Sequence, residues 1–355
     1  MSTSYLCTAV KAPFQRIDFD LPEPAPGEAL VRLTRCTICR SDLHTYFGRR
    51  SAEFPLIVGH EIAGRIEAFG ADTPRIDSNG TPLTIGCRVA WSTMASCGVC
   101  FYCLRSLPQK CESLFKYGHE RTESHRPIGG GTATHLLLRP GTPVHRLPEC
   151  LPDELAAIAN CAGATVAAVV RNAGELKDRI VLVLGAGVLG LIACAMAKRA
   201  GATVFAVDPI DDNRERAVRF GATATCHPNE ANELLRKYAG GHGADAVLEL
   251  AGPKESVELA LKSARIGGTV VLAGSVNPVS SISIEPEWIV RRCLTIRGVH
   301  NYGPPDLGLA LEFLNTGSAP FGELLGPSFP LHDVDAAFAY AESHPGRRVV
   351  LDCEG

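Results

Sequence analysis

The sequence predicts an α/β chain built from a mostly antiparallel β region followed by a doubly wound parallel sheet. Three observations carry that reading. The rhythm of the chain changes near residue 155, apolar strand-like runs then alternate with helical stretches, and the first of those runs leads straight into a glycine-rich turn. The organisation that follows is a first domain over residues 1–160, a second over 161–299, and a return of residues 300–355 to the first.

In chain order, "EALVRLTRC" and "LIVGHEIAGRIEAFG" read as strands separated by Pro- and Gly-rich turns. Beyond the change of rhythm, "IVLVLG", "TVFAVD", "DAVLEL", "TVVLAG" and "LTIRGV" are five strand candidates. Several are apolar nearly throughout, as parallel strands covered on both faces must be. Helical stretches lie between them, at 188–199 and 213–220 for instance. The tail carries helix candidates at "DLGLALEFL" and "DVDAAFAYAESH" and a closing strand at "RRVVLDC".

Composition removes several function classes. A chain of 355 residues that is 46% hydrophobic and 21% charged has ample material for a large core. It shows no secretory leader and no uninterrupted apolar run of about 18 residues, so a cytoplasmic protein without membrane contact is expected. A net charge of -3 without Lys/Arg runs offers no electrostatic footprint for nucleic acid. The chain has 14 cysteines. In a reducing compartment, clustered thiols hold metal or do chemistry more often than they form disulfides.

In "VLVLGAGVLG", Gly185, Gly187 and Gly190 fit GxGxxG. The pattern alone is weak. Placed between a strand and a helix it acquires a mechanism: the backbone turns tightly and approaches a pyrophosphate at the helix N-terminus. Asp208 ends the next strand, where a carboxylate accepts the adenosine ribose hydroxyls and repels a 2′-phosphate, which favours NAD over NADP. A purely structural glycine turn is the competing reading.

Two groups of metal-type residues stand out. Cys97, Cys100, Cys103 and Cys111 lie within fifteen residues at CxxC spacings and can supply four thiolates to a tetrahedral zinc with no open position. Cys39, His60 and Cys161, with Glu61 beside His60, are dispersed; three ligands leave a fourth position for water or substrate, as a catalytic zinc requires. Each alone is unremarkable, and Cys161 also reads as a small core residue.

The combination of "CRSDLH", "GHE", the four-cysteine segment, "CAGATV" and GxGxxG with its trailing Asp208 resembles the zinc-dependent medium-chain alcohol dehydrogenases over nearly the whole chain. The resemblance implies a GroES-like catalytic domain and a Rossmann cofactor domain. It implies two zincs per chain: a structural zinc in the 97–111 lobe and a catalytic zinc on Cys39, His60 and Cys161. Glu61 would lie behind that metal and Asp42 would orient the ligand histidine.

By the same resemblance Ser41 hydrogen-bonds the substrate oxygen, and His44 passes the proton to solvent through the cofactor ribose. Arg40 would contact the pyrophosphate, and Thr165 and the turn 273–276 would orient the nicotinamide. The implied chemistry lowers the pKa of an alcohol on zinc so that hydride can leave for NAD. A small-molecule alcohol or carbonyl is the partner, with a homodimer or homotetramer as the assembly. Arg40 also reads as solvated surface, and His44 as an ordinary polar residue.

Some residues depart from the commonest pattern. Cys87 stands where Asp is usual, which predicts a missing surface hydrogen bond. His119 in "KYGHE" lines a pocket or caps a loop, and His300, Asn301 and Tyr302 suit either a pocket or a hinge. With "ANCAGATV" and "RGVHNYGPPDL", "KYGHE" resembles a bacterial subgroup associated with secondary or cyclic alcohols and with phosphonate catabolism. Thr93 replaces a bulky aromatic and predicts a roomier pocket. The leading function is NAD-dependent oxidation of a primary or secondary alcohol, cyclic ones included. The alternatives are a zinc-free quinone or enoyl reductase of the same fold and a non-catalytic zinc-binding protein.

Overall fold

The computed structural model describes residues 1–122, 128–276 and 280–354. The chain divides into two compact units: residues 1–164, 303–316 and 321–355 form the first, and residues 165–302 with 317–320 form the second. The sequence expectation placed the division before Cys161; it falls after Ala164, inside a helical run, so Cys161 stands with the first unit.

The first unit is built on a seven-stranded sheet. Ala29–Thr37 is its central strand, pairing antiparallel with Glu61–Phe69, with His135–Leu138 and with Arg348–Asp352. The pattern of Ala29–Thr37 explains its position: only Arg32 is fully exposed among its nine residues, as a strand covered on both sides requires. Trp91, Leu33, Ile62, Leu136 and Phe338 fill the core around this sheet. Each such side chain contributes about 1.5–3 kcal/mol when fully withdrawn from water. The anticipated tail helices and closing strand are Pro304–Asn315, Val334–Ser343 and Arg348–Asp352.

The second unit holds a six-stranded, fully parallel sheet in the order Ala224–Cys226, Thr203–Val207, Ile180–Leu184, Ala244–Glu249, Ala264–Leu272, Thr295–Gly298. Numbered by sequence this is 3-2-1-4-5-6, the dinucleotide-binding arrangement, with the order reversing beside Ile180–Leu184. Ala224–Cys226 is the strand that sequence reading did not anticipate; it has three residues and only one is buried, too little for a hydrophobic pattern. Helix Val188–Arg199 follows the first strand directly, its last turn carrying Lys198 and Arg199 where cations suit the helix dipole.

The helical run 153–173 is apolar and long, but its most apolar window is 72% buried within the protein, as a core helix is. Its pitch is interrupted by a π turn at Ala159–Gly163, which carries Cys161. Such widened turns occur disproportionately at functional sites.

Candidate metal centres and cofactor turn

The segment 97–111 holds only two short 3₁₀ turns, Cys103–Arg105 and Pro108–Lys110, neither of which buries a side chain. Val99 and Leu104 are 75% and 71% exposed, so no hydrophobic core holds this lobe together. Its four thiols converge instead. The sulfurs of Cys97, Cys100, Cys103 and Cys111 all lie within 4.8 Å of one another. The Cys97–Cys111 and Cys97–Cys103 separations are 3.4 and 4.0 Å.

A tetrahedron of sulfurs about 2.3 Å from zinc has edges of about 3.8 Å, so these spacings suit a metal and are too long for a disulfide. Backbone N–H groups of Val99 and Cys100 lower the Cys97 thiol, and those of Cys103 and Glu112 lower Cys100. Both effects favour the thiolate that metal binding needs.

The second cluster draws together residues far apart in sequence. Donor atoms of Cys39, His60, Glu61 and Cys161 lie within 4.8 Å of one another in the first unit. Cys39 is the N-cap of helix Arg40–Tyr46, and Asp42 in the first turn accepts the Cys39 N–H at 2.9 Å. The same carboxylate accepts the Gly59 N–H at 3.3 Å and receives the His60 Nδ1–H at 2.8 Å. One buried aspartate therefore ties the loop before each of two ligand candidates, and fixes the His60 tautomer so that Nε2 carries the lone pair. Nε2 lies 3.3 Å from Ser41 Oγ.

The electrostatics suit a cation. Contact with Cys161 holds the Cys39 thiol well below its ordinary range, against burial and with help from Arg348; Cys161 rises correspondingly through the same contact and burial. Burial alone would depress His60, but Asp42 raises it. The buried Cys39 thiol, the half-buried Cys161 thiol and an oriented imidazole form an S₂N donor set with room for a fourth ligand.

Glu61 is committed elsewhere. Its Oε2 accepts from Thr37 Oγ1 at 2.7 Å and from Arg348 Nε at 2.7 Å, and its Oε1 from Arg348 Nη2 at 3.1 Å. Burial pushes its carboxyl up to about 7 against the pull of Arg348. Arg348 also donates to Cys39 Sγ at 3.4 Å, which makes it a member of the site that the sequence reading did not name. The available signal was an arginine opening the closing strand Arg348–Asp352.

His44 lies on the same helix as Ser41, its Nδ1 inaccessible and without a partner; burial, then Arg49 and Arg40, lower its pKa. No direct hydrogen bond joins Ser41 to His44 among the described contacts. Arg40 is exposed at the start of the helix. Cys87 does not lose its hydrogen bonding: its sulfur lies 3.1 Å from Thr84 Oγ1 and accepts the Thr84 N–H at 3.4 Å. Thr93 is buried and its carbonyl accepts the Tyr117 N–H at 3.1 Å. His300 is exposed, Asn301 adopts φ +56°, and the unit boundary follows Tyr302.

In the second unit the three glycines serve different ends. Gly185 has φ +89°, and a Cβ on Gly190 would lie 1.8 Å from the Gly185 carbonyl oxygen, so neither tolerates a side chain. A Cβ on Gly187 would meet nothing within 4 Å. The protein does not need that glycine, whereas a ligand approaching the backbone does. Gly187 is also the N-cap of Val188–Arg199 and supplies no side-chain cap, leaving the first-turn N–H groups for an anion.

Asp208 is 6% exposed and holds the turn from behind: Oδ2 accepts the Ala186 N–H at 2.7 Å, and Oδ1 accepts Ile210 N–H at 2.9 Å and Asn213 Nδ2 at 3.1 Å. Arg214 donates to the Asp208 carbonyl at 2.7 Å and pairs with Asp211. Glu249, also unforeseen, fixes the next loop by accepting Ala251 N–H, Gly252 N–H and Ser256 Oγ at 2.9, 2.7 and 2.9 Å. The turn 273–276 follows, with Ala273 N–H bound to the Glu249 carbonyl at 3.0 Å. Thr165 opens the second unit, half-buried in helix Ala164–Ala173.

Comparison with known proteins matches residues 25–149 to the alcohol dehydrogenase GroES-like domain and residues 187–316 to the zinc-binding dehydrogenase domain. An L-threonine 3-dehydrogenase of Pyrococcus abyssi is 30% identical over 80% of this chain and 78% of its own. The alcohol dehydrogenase of Thermotoga maritima superposes with a TM-score of 0.93 over 99% of both chains at 24% identity, a likeness of fold. An alcohol dehydrogenase from Thermus sp. ATN1 gives 0.86 at 26% identity, again over 99% of both chains.

Proposed function

The chain belongs to the zinc-dependent medium-chain alcohol dehydrogenase family, and from that premise we propose that it interconverts an alcohol and its carbonyl with NAD. Cys39, His60 and Cys161 would hold the catalytic zinc, and Cys97, Cys100, Cys103 and Cys111 a structural one. The observation that carries the reading is the S₂N cluster in which Asp42 fixes the His60 tautomer, with the Ser41 hydroxyl 3.3 Å from His60 Nε2.

When bound there, zinc supplies Lewis acidity to an alcohol oxygen, and NAD supplies the hydride acceptor. This chain's residues do the rest. Asp42 orients His60 and strengthens it as a donor. Ser41 Oγ, 3.3 Å from His60 Nε2, would take the proton of a substrate hydroxyl held at the cluster. His44, whose pKa burial, Arg49 and Arg40 lower, lies on the same helix as Ser41 and would pass a proton on towards solvent. Arg348 engages both oxygens of Glu61 beside the cluster and compensates the thiolate charge.

The second unit supports NAD rather than NADP. Asp208 backs the glycine turn, Asp211 and Asp212 follow it, and Arg214 is occupied by Asp211 and the Asp208 carbonyl. Among the described residues of this turn, a 2′-phosphate would meet Asp208, Asp211 and Asp212, and Arg214 is already paired.

Metal content per chain, measured beside NAD and NADP reduction across primary, secondary and cyclic alcohols, tests the reading. Two zincs and an NAD-dependent response are expected, and Cys39→Ala should lose one zinc and all turnover. One zinc, unaffected by Cys39→Ala, would refute the catalytic site.

A further inference from the structure

The strand Ala244–Glu249 is buried throughout its last four positions, and the last of them is an acid: Glu249 has no exposed surface. A carboxylate withdrawn from water is costly unless donors converge on it. Here three do. Oε1 accepts from Ala251 N–H, Gly252 N–H and Ser256 Oγ at 2.9, 2.7 and 2.9 Å, while Oε2 is inaccessible and meets no donor among the described residues. The backbone of the same residue reaches a second loop, its carbonyl accepting the N–H groups of Ala273 and Gly274 at 3.0 Å each. One residue therefore ties the loop that follows its own strand to the end of the neighbouring strand Ala264–Leu272.

The two loops meet on bare backbone. Gly252 has φ +101°, and a Cβ there would lie 2.8 Å from the Gly274 carbonyl oxygen; a Cβ on Gly274 would lie 2.5 Å from the Gly252 nitrogen. Ser275 Oγ donates to the Gly252 carbonyl at 2.8 Å. The first loop also touches the glycine turn: Leu250 N–H donates to the Leu184 carbonyl at 3.0 Å, and a Cβ on Gly185 would lie 2.9 Å from that of Ala251. Ala251 is exposed and Val276 is 59% exposed, so small apolar groups rim this junction.

A dinucleotide bound to a sheet of this order lies across the point where the order reverses, one half on each side. Asp208, ending Thr203–Val207, marks the adenosine side, and it braces the glycine turn through Ala186 without help from Glu249. The other half falls to the ends of Ala244–Glu249 and Ala264–Leu272, the two strands that Glu249 joins.

We propose that Glu249 is a positioning residue for the nicotinamide half of the cofactor, its Oε1 and its carbonyl fixing the backbone of loops 250–256 and 273–276 that receive it. The inference rests on the NAD reading for the identity of the ligand, and on these hydrogen bonds for the placement.

Titration calorimetry of the full zinc-loaded chain with NADH, and with ADP-ribose, which lacks the nicotinamide, tests it. In Glu249→Met, NADH should bind about tenfold or more weaker because the loops must be ordered on binding, while ADP-ribose stays within about threefold of the parent. Glu249→Gln sets an amide oxygen where Oε1 stands and its NH₂ where no described donor stands, and should return NADH to within about threefold of the parent. Asp208→Ala frees Ala186 and Ile210 and should weaken both ligands alike.

Equal weakening of NADH and ADP-ribose in Glu249→Met, in step with its melting temperature, would make Glu249 a structural residue only and overturn the proposal. So would NADH binding that is unchanged in Glu249→Met, or as poor in Glu249→Gln as in Glu249→Met. Should Glu249→Met not fold, Ser256→Ala removes one of the three donors: NADH about threefold weaker with ADP-ribose unchanged is expected, and no change in either overturns the inference. A parent chain that binds neither ligand defeats the NAD reading and the proposal with it. If both bind and no alcohol is oxidised, the dehydrogenase reading fails while the pair of titrations still decides the role of Glu249.

Discussion

Replacing Arg348 with methionine isolates the least foreseen member of the metal site. The guanidinium makes two bonds to Glu61, of 2.7 and 3.1 Å, and one of 3.4 Å to Cys39. Glu61 has no exposed surface, and Arg348 is 6% exposed. Methionine fills much of the same volume, so the cost arises chiefly from leaving a buried carboxylate with the Thr37 hydroxyl as its remaining partner.

Breaking a buried pair in this way costs about 3–5 kcal/mol. At about 2–4 °C per kcal/mol for a unit of this size, the midpoint should fall by roughly 6–20 °C. The double variant Arg348→Met with Glu61→Gln removes the stranded charge and should recover at least about half of the loss, a coupling of about 2 kcal/mol or more. Thermal and urea unfolding of zinc-loaded parent, single and double variants provide the assay. A single-variant loss below about 1 kcal/mol, or a double variant no better than the single, would refute the argument that Arg348 acts by compensating Glu61.

Three further outcomes are expected. Gly190→Ala drives a methyl into the Gly185 carbonyl and should lower both melting temperature and NADH binding, whereas Gly187→Ala meets open space and should keep its melting temperature while losing NADH affinity, read by fluorescence titration. Asp42→Asn should weaken zinc binding about 10–100-fold, because the His60 tautomer is no longer enforced; a chelator competition measures it. His145 is buried with neither ring nitrogen bonded, and burial lowers its pKa against the opposing pull of Asp77. Its folded state binds fewer protons than the unfolded chain, so its contribution is full above the ordinary histidine pKa of about 6.5 and is lost as pH falls below it. His145→Phe should flatten the stability profile between about pH 6.5 and 5, followed by urea titrations at each pH.

Much of the second unit was legible because local pattern and final position agree there. Helix Val188–Arg199 and five of the six strands follow from apolar runs bounded by glycine, since parallel strands covered on both faces carry their own signature. Ala224–Cys226 escaped because three residues at a sheet edge have no periodicity to detect.

The convergence of the cysteine lobe was readable for a related reason: its four thiols are neighbours in sequence. Cys39, His60 and Cys161 are not, so residue type could group them but spacing could not; contact between Cys39 and Arg348 spans 309 residues and leaves no local trace. Asp208 was recognised as an acid at a strand end, yet its hydrogen bonds to Ala186, Ile210 and Asn213 depend on turn geometry that the sequence pattern does not contain.

Arg348–Asp352 pairs with Ala29–Thr37, and all of residues 165–302 are synthesised between them. At about 5–20 residues per second, the ribosome needs roughly 15–60 s to make the intervening residues 38–347. Until then the edge of the Ala29–Thr37 strand stands open, Glu61 lacks its guanidinium, and Cys39 lacks one of its neighbours. The second unit, contiguous but for four residues, can fold in that interval. The metal cluster is therefore a late product of biogenesis, and zinc captured early by Cys39 and His60 would wait on an unfinished sheet.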